Sequence, residues 1–428
     1  MSNVIGAGVF TTAGYLARDL GDPALIMALW LVGGLTAVAG ALSYGELGAA
    51  LPMAGGEYVY LRQAYGPLVA FLSGWSSLTV GFSAGIAAGS VGFSAYFLEL
   101  FPLGAAFGFA DKALALILLW TVTAVHSTGS RPGGWLQRWL TGLTMGALLL
   151  FLMGAMAVGT GSWEHFTVDT VPSPRLGSIV VSFIFVSYAY CGWNAVVYIA
   201  GEVVDPGRVI PRSMLWGTLV VTLVYVGLNS VYFYALPIET MAQPPLLPVA
   251  KKAAAALYGP LSATVMSAIL CLSMASAVSA MVWAGPRIYY AMAADGVFPS
   301  LFAMTSRRTG APQSSILLQS VWSSVLILSG TFEKLVIYGG VVLAILSALA
   351  VAAVVVLRWR TPELARPYRV PLYPWVPGFY ILVSIVVVIY SIIERPVISV
   401  LGLATILAGI PLYLVWIRRS LPRLRPPA

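Results

Sequence analysis

Charge is scarce in this chain. Of 428 residues only 9% are Asp, Glu, Lys or Arg, against 59% hydrophobic residues and a mean hydropathy of +0.90. A soluble domain of this length cannot cover that much apolar surface with so few charges, which excludes a soluble enzyme or regulatory domain. Cysteine is nearly missing too. Cys191 and Cys271 both lie in apolar runs, so neither a disulfide framework nor a disulfide-linked partner is expected. The two histidines, His126 and His165, have no companions at ligand spacing, which removes a metal site. No nucleophile–base pair and no cofactor motif is visible, so neither an enzyme, a catalytic residue nor a cofactor is expected. A basic leader and a small-residue cleavage site are lacking at the N-terminus, which argues against a cleaved signal peptide. The net charge of +8 is read as loop charge that orients a membrane protein, not as a nucleic-acid surface.

What is abundant is apolar sequence in runs of about 20 residues, each enough to cross a bilayer core. The runs do not alternate polar and apolar residues, so they are helices and not barrel strands. Twelve segments are expected, at 1–20, 24–51, 66–98, 111–130, 136–159, 176–202, 212–236, 260–292, 313–331, 334–358, 376–393 and 397–417. The lipid bilayer is therefore the first partner. Alternate loops carry 16 and 7 of the 23 Lys and Arg residues, so the richer side is expected in the cytoplasm, with both termini there and the chain in the cell membrane. Gly81, Gly85, Gly89 and Gly92 fall on one face of the third segment, where they let another backbone come close. The loop before the eighth segment, 243–260, reads as an external stretch with a short helix.

Two segments carry interruptions. Gly6-Ala7-Gly8 breaks the first, and Tyr188-Ala189-Tyr190-Cys191-Gly192-Trp193 breaks the sixth. Glycine costs about 1 kcal/mol in a helix interior. In lipid an unwound backbone persists only where it lines a cavity or finds partners. The half-helix from Val9 to Leu20 adds a positive dipole end, which suits a carboxylate. Unwound carbonyls in the sixth segment suit an ammonium group. Broken helices at equivalent places in two halves mark a secondary transporter, with the halves inverted because each holds five crossings.

Several stretches resemble the amino acid–polyamine–organocation superfamily, and within it the L-type amino acid transporter branch. They are NVIGAGVF in the first segment, SYGELGAALPMAGGEYVYLRQAYGP at 43–67, YAYCGWNAVVYIAGEVVDPGRVIPRSM at 188–214 and GPRIYYAMAADGVFP at 285–299. The resemblance implies an all-α polytopic membrane protein of the leucine-transporter type. Its five-plus-five inverted repeat would occupy 1–160 and 176–358, with two peripheral helices at 376–419. It implies alternating access and an amino acid substrate. It places carboxylate-binding amides at Ala7 and Gly8, beside Gly6, and ammonium-binding carbonyls at Val4, Tyr188, Ala189 and Cys191. It also sets Tyr188 where the family often has a phenylalanine gate, the alternative being a packed aromatic. Sodium-independent relatives often carry a lysine in the fifth segment, where this chain has Thr144. That departure leaves exchange, proton coupling through another group or facilitated diffusion, with sodium coupling a lesser option.

The remaining polar residues admit two readings each. Glu46 is either a proton or conformational switch, or a carboxylate held near the cytoplasmic end by loop amides or an arginine. Glu202 with Arg208 and Arg212 either forms an inner gate network with Glu46 or Glu57, or is merely solvated. Asn194 either bonds the substrate or caps the restarted helix. Ser276 and Ser279 either face the site or bond back to their own helix. No acid or base lies in the middle of segments 1, 3, 6 or 8, so a neutral amino acid is expected, of small or medium size. Reaching the cytoplasm takes about ten residues before Gly6, and five are present. The first helix thus reads as truncated, through a misassigned start at Met1 or a real deletion. The rival functions are an amine or polyamine carrier, and a transport-dead membrane sensor or partner subunit.

Overall fold

The computed structural model describes residues 3–101, 110–167, 174–244, 249–329 and 332–420. Met1 lies outside them, so the expectation about the start has no structural counterpart. The described residues are helical, with no strand among them. Eighteen helices run in order: α1 Ala7–Leu20, α2 Pro23–Ala50, α3 Glu57–Tyr65, α4 Pro67–Ser76, α5 Phe82–Leu100, α6 Ala110–Ser127, α7 Ser130–Val158, α8 Leu176–Tyr190, α9 Ala195–Tyr198, α10 Pro206–Ala235, α11 Ile238–Ala242, α12 Val249–Tyr258, α13 Pro260–Ala284, α14 Pro286–Ala294, α15 Gln313–Ser329, α16 Phe332–Arg360, α17 Trp375–Glu394 and α18 Pro396–Ser420. Helices α4 and α5 join through a π-helical turn, Ser77–Gly81, into one long crossing, and α13 runs on into α14. Among the described residues nine helical stretches are long and apolar enough to span a membrane. The chain is an all-α polytopic membrane protein.

The twelve expected segments all appear, with ends within a few residues except where the segments are broken. Three are shorter than a full crossing: α1, α8 and α15, of 14, 15 and 17 residues. The first two are shortened by breaks, because glycine and turn residues stop the helix inside the bilayer. At ~1.5 Å per residue α1 rises ~21 Å, about two thirds of a ~30 Å core. The sequence expectation missed α3, an amphipathic helix on the loop after α2 whose polar residues hid its buried face.

Packing follows a regular rule. Helix α1 packs on α8, α2 on α10, α5 on α13 and α6 on α15. In the numbering of crossings, each of the first four lies against the crossing five places later. Helix α17 packs across α16, α2 and α8. Glycine permits the closest crossings. A Cβ on Gly85 would stand 2.8 Å from the Met281 sulfur and one on Gly89 2.9 Å from a Val278 methyl, so the glycine face of α5 is where α13 docks. Large apolar side chains stand exposed on α7, where Leu150, Met153 and Met156 are among them, as a helix in contact with lipid requires.

Candidate functional site

The first break runs from Asn3 to Gly6. Gly6 is the N-cap of α1 in extended backbone, and no side chain caps the turn. The amides of the first turn are therefore left without intrahelical partners, and the dipole adds positive character there. The second break runs from Cys191 to Asn194, where α8 stops after Tyr190 and Gly192 adopts φ +104°. A short α9 and a 3₁₀ turn, Ala200–Glu202, continue it. The two breaks touch. A Cβ on Gly8 would lie 2.6 Å from the Ala189 Cα, so only glycine lets the start of α1 cross the end of α8.

Three side chains stitch the breaks. The Tyr225 hydroxyl of α10 shares its hydrogen between the carbonyls of Val4 (2.6 Å) and Ala189 (3.0 Å). Asn3 donates its side-chain amide to the Gly192 carbonyl at 3.1 Å. The Ser273 hydroxyl of α13 donates to the Ile5 carbonyl at 2.9 Å. Without these donors, unwound carbonyls would face a low-dielectric interior unpaired, which is costly for each group.

Between the breaks and α5, α13, α16 and α17 lies a cavity of about 110 Å³. Gly6 and Gly8 open onto it from one side, Tyr188, Cys191 and Asn194 from another, and Ala277 and Met281 from α13. Among the described residues that line it there is no Asp, Glu, Lys, Arg or His. Behind Tyr188, Cys191 and Trp193 is a second chamber of about 60 Å³, walled by α2, α8, α16 and α17. Trp193 lines both. Its ring packs edge-on to Tyr44, with centroids 4.8 Å apart, and sits where a Cβ on Gly40 would collide.

Several sequence expectations change here. The Val4 carbonyl already accepts from Tyr225 and from the Gly6 amide (2.8 Å), so both its lone pairs are taken and it drops out as an ammonium ligand. The Ala189 carbonyl keeps one lone pair beside the Tyr225 bond, and the Tyr188 carbonyl accepts from the Cys191 amide at 2.9 Å. Asn194 stands at the N-cap position of α9, but its side chain does not cap the helix; its amide donates to Glu57 at 2.8 Å. Ser276 and Ser279 turn away from the cavity, Ser276 toward Gln137 and Ser279 toward His126. From α13 the cavity is lined by Ala277 and Met281, with Ser273 one turn earlier on the same face bonded to the first break, one step round the helix from Ser276 and Ser279. Tyr225 and Ser273 escaped notice because a phenol or hydroxyl in an apolar run does not reveal which backbone it meets.

The charged residues also pair otherwise than expected. Glu46, 2% exposed, receives Arg358 in bidentate fashion (2.9 and 2.6 Å) and the Val370 amide at 2.7 Å, with Arg366 at 3.6 Å. It is held by an arginine and a loop amide. Glu202 accepts from Arg287 at 3.1 and 3.0 Å, and no ion pair joins it, or Glu46, to Arg208 or Arg212 among the described residues. The expected four-residue network is thus absent; the partners come from α14 and α16, too far along the chain for local spacing to show. A third pair joins Arg62 to Asp295 at 2.5 Å. Thr144 is buried in α7, its hydroxyl without a partner.

An amino acid permease family model matches residues 1–416, nearly the whole described chain. The chain belongs to the amino acid permease family. Among curated proteins it is 30% identical to the rabbit large neutral amino acids transporter small subunit 2, over 96% of this chain and 77% of that one. It is 29% identical to the mouse Asc-type amino acid transporter 1, over 99% and 80%. It is 28% identical to the human cystine/glutamate transporter, over 97% and 83%.

Proposed function

We propose that this permease carries neutral amino acids across the cell membrane by alternating access, as a secondary transporter or exchanger. The observation that carries the reading is the pair of breaks facing one uncharged cavity. The uncapped first turn of α1 offers the amides of Ala7 and Gly8 to a carboxylate. Across the cavity, the remaining carbonyl capacity of Tyr188, Ala189 and Cys191 suits an ammonium group. A charged substrate side chain would find no counter-ion in the lining. On the scale of ~10–15 Å³ per water-sized group, the cavity takes roughly seven to eleven such groups, the size of a small or medium amino acid. The names of the relatives, transporters of large neutral amino acids and of the Asc type, agree with this.

Within this reading the repeats are 1–160 and 176–358, with peripheral helices at 376–419. The packing of each early crossing on the crossing five places later supports that division. The arginine-rich side is cytoplasmic, and both termini lie there. Three ion pairs, Glu46–Arg358, Glu202–Arg287 and Arg62–Asp295, close that side, and Tyr188 shuts over the substrate. Uptake of labelled alanine, serine and leucine into proteoliposomes, with and without internal amino acid, tests the reading. Saturable uptake accelerated by internal amino acid is expected. Saturable transport of amines alone would instead favour the amine carrier, and binding without any uptake the transport-dead alternative.

A further inference from the structure

Glu57 is a buried carboxyl with no ion pair among the described residues. It sits at the first position of α3, only 1% exposed. Its Oε1 accepts from the Tyr44 hydroxyl of α2 at 2.5 Å and from Asn194 at 2.8 Å, and the Tyr198 hydroxyl beyond the second break adds another bond. The ionisable groups that face it are phenols and a thiol: Tyr44, Tyr60, Cys191, Tyr198 and Tyr380. The arginines on the neighbouring elements are engaged elsewhere. Arg358 and Arg366 hold Glu46, Arg287 holds Glu202, Arg62 holds Asp295, and Arg360 donates to the Ala64 carbonyl at 3.0 Å. Desolvation pushes the Glu57 carboxyl above its ordinary range, although the bonds from Tyr44, Asn194 and Tyr198 pull it down.

Asn194 makes this carboxyl part of the transport site. It lines the cavity and bonds Glu57 with the same amide nitrogen that reaches Tyr198 at 3.1 Å. A protonated Glu57 has one oxygen that must donate, so the donor pattern around Asn194 and Tyr44 has to change with it. Resting on the transport reading above, we propose that Glu57 is a proton-binding site of the transport cycle. In the bonds described here Oε1 accepts two donors, as a carboxylate does; when substrate draws Asn194 toward the cavity, Glu57 loses a donor and takes up a proton. The proton is bound together with the zwitterion, so the two move in the same direction. By linkage, each unit of difference in the Glu57 pKa between substrate-free and substrate-bound protein is a tenfold difference in substrate affinity between its two protonation states.

The test uses the whole protein in liposomes, with labelled alanine and a pH-sensitive dye in the lumen. A more acidic exterior should accelerate alanine uptake, and alanine should acidify the lumen. Glu57→Gln should give uptake that no longer varies from about pH 5 to about pH 8, with no alanine-dependent acidification. Tyr44→Phe removes a donor to the anion, so the midpoint of the pH profile should move to higher pH. The wild-type dye signal stands by itself should either variant fail to fold. Alanine uptake indifferent to an imposed pH difference, or lumen acidification that survives in Glu57→Gln, overturns the proton site. No alanine uptake at any pH overturns the transport reading instead.

Discussion

The smallest unit that decides this site is a hydroxyl. Tyr225 reaches from α10 to both breaks, bonding Val4 on one and Ala189 on the other. Tyr225→Phe keeps the ring, which packs against Trp30 and Tyr190, and removes only the donor. Leaving buried acceptors unpaired costs about 1–3 kcal/mol. The variant should therefore raise the KM for the transported amino acid by roughly tenfold, with surface expression largely retained; an unchanged KM in concentration-dependent uptake would show that the stitch is dispensable. At this scale the sequence was half legible. Gly6, Gly8, Tyr188, Cys191 and Asn194 stand at the cavity because glycine and turn residues inside an apolar run have few other reasons to be there. Val4 faces it too, but its carbonyl is spent on Tyr225, a contact 221 residues away in sequence that no local pattern encodes.

Among elements, the long apolar helices were legible throughout, since hydropathy and length leave them little choice in a bilayer. The legible breaks were those of α1 and α8. Less so was α3, whose buried Glu57, Tyr58 and Tyr60 look like loop polarity until α4, α14 and α16 pack on the helix and Tyr44 of α2 bonds Glu57. The ion pairs were illegible for the same reason: Glu46 on α2 finds Arg358 at the end of α16. That pair fastens α2 to α16 and to the segment that leads into α17. Breaking one side of a buried pair costs about 3–5 kcal/mol because the other charge is left alone. Glu46→Gln should accordingly lower the melting temperature of the detergent-solubilised protein by several degrees, read by size exclusion after heating. A melting temperature equal to wild type would mean that the bridge is not what holds α16 against α2.

For the whole molecule, the packing of crossings five places apart brings two interrupted helices together, and α17 lines the second chamber through Tyr380. Scarce charge follows from the bilayer, and with no charged side chain among the described lining residues the backbone amides and carbonyls are the groups left to meet a charged substrate. The account therefore requires a substrate with both a carboxylate and an ammonium group. The most direct measurement is competition against labelled alanine uptake by alanine, its methyl ester and its N-acetyl derivative. Alanine should compete and both derivatives should fail, each having lost one pole; inhibition by either derivative at concentrations like those of alanine would contradict recognition by two facing breaks.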